Sequence, residues 1–196
     1  MIVDPLFKPP AEMLDVLQLR KEGKIGPNQV KNVTERIAEM ACEALLDQLP
    51  ERHRWQNANS IRRNQAGYDF IVDDQVRIQV KGTDAIEQVG FAFKPDPTHP
   101  SLDFDVFVFV HIGACLKSDF GRFAQYGWPV SEHVHYYVIP NTIVRGWVEK
   151  PRYLNTGRVE IYWNRRPFAP DSKQHRLQTR EILEYRNRFE EITRLL

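Results

Sequence analysis

The chain has 196 residues, 42% hydrophobic and 27% charged, with a net charge of +1. That length and mix exclude a disordered or fibrous chain and point to one soluble domain with a sizeable core. No apolar run approaches the roughly 20 residues of a membrane span, and the N-terminus carries acid and proline where a secretory leader would carry a basic and then an apolar stretch, so the expected location is the cytoplasm. Charge is uneven: residues 151–196 hold ten Lys or Arg against six acids, a surplus of four, while the remainder carries −3. Cys42 and Cys115 match no metal or redox spacing and read as reduced thiols.

In chain order, residues 10–22 predict a first helix, begun by Pro10, with Met13, Leu14, Val16 and Leu17 as its apolar face and Gly23 and Gly26-Pro27 as its end. A second helix is predicted over 33–49, capped by Asn32 with Glu35 and closed by Pro50. Its buried face is Ile37, Met40, Ala41, Ala44 and Leu45, and Glu35, Glu39, Glu43 and Asp47 form an acidic stripe at four-residue spacing. Like charges at that spacing disfavour a helix by a few tenths of a kcal/mol per pair, which a nearby cation would offset. Residues 51–66 are polar and irregular. Arg52, Arg54, Arg62 and Arg63 there, around Trp55 and Asn57, form a candidate phosphate grip, weighed against a merely solvated loop.

Residues 68–72 and 76–81 alternate with the period of a strand. A loop at Asp73–Asp74–Gln75 pairs Val72 with Val76, Phe70 with Ile78 and Asp69 with Gln79, which collects all the apolar side chains but Ile71 on one face. A two-residue loop would mix the faces. The hydrophobic pattern thus selects the register that gathers Asp69, Gln79 and Lys81. From Gly82 a long loop is expected, punctuated by Pro95, Pro97 and Pro100. Then follow a buried strand over 104–112, a strand over 133–139, a short helix over 142–150, a strand over 158–163 and a terminal helix over 178–196. In that last helix Ile182, Tyr185, Phe189, Ile192 and Leu196 follow a 3-4-3-4 spacing, which suits packing on the domain itself or a homodimer seam.

A carboxylate, an amide oxygen and an ammonium suit metal-assisted phosphodiester hydrolysis. A hard cation takes oxygen ligands, and a lysine stabilises charge developing on the phosphate. The arrangement resembles the PD-(D/E)XK nuclease superfamily, over roughly residues 33–150: Tyr68-Asp69 stands where that family often has Pro-Asp, and Gln79-Val80-Lys81 is similar to its Mrr-like Gln-x-Lys variant. The resemblance implies an α/β fold with a mixed central β-sheet flanked by helices, restriction-endonuclease-like, in one domain spanning 1–196 with 10–22 and 178–196 as appended elements. It also implies Mg2+, with Mn2+ as substitute, held by Asp69, Gln79 and a helix glutamate. Glu39 matches the family's helix position best, with Glu35 second. The implied activity is an endonuclease on DNA, in restriction or defence, with RNA the alternative substrate. Two rival readings stand beside it. One is a nuclease-like module that binds nucleic acid or a partner without cutting, because Gln79 is neutral. The other is a zinc hydrolase built on His111, His133 and His135.

Overall fold

The computed structural model describes residues 2–61, 67–84, 90–93, 98–116, 121, 124, 129–149, 159–163, 176–177 and 182–196. Helix α1 (Ala11–Lys21) begins where Pro10 offers its carbonyl to Met13 and Leu14, buries Leu17 and ends at Gly23 in the left-handed region (φ 72). Helix α2 (Pro27–Leu46) starts six residues before the Val33 start expected from sequence, with Gly26 and not Asn32 as its cap. Gly26-Pro27 initiates it rather than ending α1: Pro27 sits at the first helical position, and the Gln29 side chain accepts the Gly26 N–H at 2.8 Å.

A five-stranded sheet follows, in the order β1-β2-β3-β5-β6. Its strands are β1 (Trp55–Asn57), β2 (Phe70–Val72), β3 (Val76–Thr83), β5 (Val106–His111) and β6 (His135–Pro140). All neighbours are antiparallel except β3 and β5, so the sheet is mixed and the architecture α/β. Short helix α3 (Ala58–Ile61) follows β1, and α4 (Asn141–Glu149) follows β6. A separate small sheet joins β4 (Gly90–Phe93), β7 (Val159–Trp163) and β8 (Arg176–Leu177) in that order. Two corrections apply here: β1 lies in the stretch read as irregular, and β4 in the stretch read as loop.

Both faces of the large sheet are covered. Phe70, Val72, Ile78, Val80, Val108 and Val110 pack with Ile37, Ala41 and Leu45 of α2. Phe107, Phe109, Tyr137 and Ile139 pack with Val144, Trp147 and Val148 of α4 on the other face. Cys42 and Cys115 are free and buried.

The expected terminal helix is overturned over 182–196, and residues 178–181 lie outside those described. Helix at 182–183 gives way to a turn and a bridge over 184–187, and α5 (Glu190–Thr193) is a separate short helix. Edge strand β6 offers unpaired backbone groups, and the terminal segment takes them: Val138 N–H donates to Tyr185 C=O at 2.9 Å and Asn187 N–H to Tyr136 C=O at 3.0 Å. Asn187 turns the chain with φ 55. The segment thus folds over the sheet edge, with Ile182 in one core and Phe189 and Ile192 in the other. The stripe that could have formed a dimer seam is spent on the chain's own domain. Among the described residues no helix is long and apolar enough to cross a membrane.

Candidate active site at the open end of the hairpin

The β2–β3 hairpin has the register that the alternation selects: Val72 opposite Val76, Ile71 opposite Arg77, Phe70 opposite Ile78. The pairing ends there, short of the expected Asp69–Gln79 pair: the Asp69 N–H donates to the C=O of Ile78, already the partner of Phe70, at 2.8 Å. Asp73 and Asp74 make the turn with φ 51 and 56, a conformation Asp tolerates better than most residues, and Gln75 N–H closes it onto Val72 C=O at 3.0 Å.

Beyond Asp69 the two strands part. Gly67 takes φ 98, and a Cβ there would lie 2.3 Å from the Pro100 carbonyl, so only glycine permits the departure. The parting leaves the Val80 N–H without a ladder partner, and Asp69 Oδ2 accepts it at 2.7 Å, together with a short hydrogen bond from Gln79 Nε2. The carboxylate therefore lies in the gap, close to the plane of the sheet, rather than standing off one face. This geometry matters because Val76, Ile78 and Val80 face α2 while Gln79 and Lys81 alternate to the opposite side. A carboxylate in the plane is reachable from both.

Helix α2 closes on this gap at Gly82. A Cβ on Gly82 would lie 2.7 Å from Ala38 Cβ and 2.9 Å from Thr34 O, so the missing side chain sets the approach. Glu35 and Glu39, on either side of Ala38, are thereby delivered with Asp69, Asn59 and Lys81 to one cavity of about 600 Å3. Arg20 and Asp84 also line it.

Burial raises the Asp69 carboxyl above the usual range, against the pull of Lys81, the Val80 N–H and the Asn59 side chain; Glu35 adds a further push. Burial also raises Glu39, opposed by its hydrogen bond from Arg36 at 3.3 Å and reinforced by Asp69. Burial is the chief cause of both shifts, with Asp69 adding to Glu39 and Glu35 adding to Asp69, and carboxylate oxygens in such a setting suit a hard divalent cation. Gln79 is buried and turns its NH2 end to two acceptors, Asp69 Oδ2 and the Val80 carbonyl (3.1 Å). In this state it holds Asp69 as a donor; to serve as a ligand its amide must rotate by half a turn. Among the described residues no group of three or more His, Cys, Asp or Glu is placed to hold a metal ion, and Gln79 is not among the residues that line the cavity.

The remaining sequence candidates lie elsewhere. Arg52 and Arg54 sit at the turn end: Arg54 N–H donates to Asp73 Oδ1 at 2.8 Å, and Arg52 Nε donates to His53 at 3.0 Å. With Trp55 opposite Val72, they are three or more residues from Asp69 along the strands, about 10 Å at strand rise. Arg62 and Arg63 lie outside the described residues. Arg77 clasps β3 to the start of β5 through Asp103 and Asp105. His111 and His135 are buried opposite each other, but no three-histidine cluster forms with His133. The Arg186 guanidinium donates to His135 Nδ1 at 3.0 Å, which occupies that nitrogen, and burial with that neighbour pushes the imidazole down to about 4. Sequence reasoning missed Arg20, Asn59 and Asp84. Asn59 stood in a stretch with no periodicity, and Arg20 and Asp84 are 64 residues apart, with no local signal linking them. Compared with known protein families, curated proteins and solved structures, the chain matches none.

Proposed function

We propose that the protein is a Mg2+-dependent endonuclease acting on DNA, organised as in the PD-(D/E)XK nucleases that its Asp69 and Gln79-Val80-Lys81 pattern resembles. The observation that carries this reading is the charge of the cavity. Glu35, Glu39, Asp69 and Asp84 oppose Arg20 and Lys81 on its wall, a net of −2. A wall of that charge repels a phosphate diester, and one divalent cation cancels it. Asp69 and Glu39 would hold that cation, with Gln79 joining on rotation of its amide. When bound, Mg2+ supplies charge neutralisation at the phosphate and an activated water. The chain's own residues supply the rest. Gln79 and the Val80 N–H fix the Asp69 carboxylate in the gap. Lys81, exposed beside it, meets the negative charge that grows on the phosphate oxygens as the bond to water forms, so it favours the transition state over the ground state.

The test is incubation of the purified chain with supercoiled plasmid, with Mg2+, with Mn2+ and with a chelator, beside single-stranded RNA of matched length. Nicking or linearisation that needs the divalent ion and is lost in Lys81→Ala supports the reading. Binding without cleavage under every ion transfers it to a nuclease-like binding module, a reading favoured by the neutral Gln79 and its donor role toward Asp69.

A further inference from the structure

We propose that Arg20, anchored by Asp84, grips a phosphate of the bound strand next to the one placed at Asp69 and Lys81, so that the site takes a continuing polynucleotide and not a single terminal phosphate. The inference rests on the nuclease reading and deepens it.

Arg20 lies in the last turn of α1, and α1 is fixed on the core by the fully buried Leu17. Its Nη1 donates to both oxygens of Asp84, at 3.1 and 3.4 Å. The pair is lopsided: the Arg20 side chain is 39% exposed and that of Asp84 only 9%. The carboxylate is thus the covered, fixed member, and the guanidinium keeps an accessible side. A guanidinium carries five donors in a planar fork, of which Asp84 takes those on one nitrogen; the Nε and Nη2 edges suit phosphate oxygens.

Position gives the substrate class. Asp84 comes three residues after Lys81, just past the end of β3, up to about 10 Å along at strand rise. The two cations stand on different elements, Lys81 on β3 and Arg20 on α1, and both line the cavity, so successive phosphates of one strand can meet one each. Pro27 and Asn28 bring the N-terminal end of α2, with its partial positive charge, to the same wall. Lys81 and Arg20 thus supply positive charge at two separate points of a cavity whose carboxylates suit a metal. Asp84 is a positioning residue, acting only through Arg20.

The test uses the full chain, Mg2+ and a fluorescein-labelled DNA duplex of about 20 base pairs, two helical turns. Affinity is measured by anisotropy across a salt series for the wild type, Arg20→Gln and Arg20→Lys. Arg20→Gln is expected to bind several-fold more weakly, with the slope of log affinity against log salt reduced by about 0.9, the value for one lost phosphate contact. Arg20→Lys is expected to keep the wild-type slope. Because removing Arg20 strips a covered carboxylate of its partner, a second measurement uses the wild type alone. Phenylglyoxal labelling of Arg20, read by mass spectrometry, is expected to slow with the duplex but not with thymidine monophosphate. A folded Arg20→Gln with an unchanged slope, or labelling unaffected by the duplex, overturns the Arg20 assignment and leaves the nuclease reading standing. A wild type that binds no duplex overturns both.

Discussion

Asp73 and Asp69 sit on one hairpin, four residues apart, and their carboxyl groups are driven in opposite directions. At the turn end, Asp73 accepts the Arg54 N–H and pairs with His53 Nδ1 at 2.6 Å. The Arg54 hydrogen bond first, then His53, holds it below the usual carboxylate range. At the open end, Asp69 also accepts hydrogen bonds, yet burial outweighs them and raises it. Asp47, just past the end of α2, also accepts a hydrogen bond near the turn end, from the Trp55 Nε1–H at 3.1 Å, while burial raises Glu39 at the open end. A carboxylate satisfied in the free chain stabilises the fold. One left short of positive charge costs stability and is available to a cation. The hairpin separates these two uses by its length.

The largest effect that would sharpen this contrast is chemical. Lys81→Ala is expected to lower the cleavage rate by about 10²–10³, or roughly 3–4 kcal/mol of transition-state stabilisation, and to leave duplex affinity within a few-fold. Wild-type cleavage by this variant in a plasmid assay breaks the assignment of the open end. Next in size is Gly82→Ala. The added methyl meets Ala38 and the Thr34 carbonyl, so α2 must shift away from β3. Overpacking of this kind costs about 1–3 kcal/mol, read by urea unfolding, and it should loosen divalent-ion binding by calorimetry because Glu39 moves with the helix.

Two smaller effects set the ends against each other by pH. Asp73 has a lowered folded value, so its contribution is present above the unfolded value near 3.8 and is lost as pH falls through the folded one. Asp73→Ala should therefore lower Tm at pH 7, with the gap closing in acid. Glu39 has a raised value, so between the unfolded value near 4.5 and the folded one stability falls as pH rises. Glu39→Gln should raise Tm slightly at neutral pH, show no gain in acid, and respond less to Mg2+ than the wild type. A Tm that falls in Glu39→Gln at pH 7 without metal would place Glu39 with the satisfied group.

Alternation with period two selected the hairpin register, because a one-residue slip would put the apolar side chains of the two strands on opposite faces. The four-residue spacing of Glu35, Glu39, Glu43 and Asp47 placed those acids on one helix face for the same local reason. Runs over 104–112 and 133–139 announced the two strands that complete the central sheet. Each of these signals spans a few residues and depends only on the repeat of its own element.

What tertiary structure decided had no local repeat to read. The Asp69 carboxylate lies in the gap because Gly67 must clear the Pro100 carbonyl, a contact across 33 residues. Arg20 meets Asp84 only because α1 packs on α2 and α2 closes on Gly82. The terminal segment forgoes its helical stripe because β6 leaves an open edge whose backbone groups it satisfies. Sequence named the residue types that metal and phosphate chemistry would use; packing chose which of them share a cavity, since an apolar face fixes an element's orientation and only the neighbouring element fixes its distance.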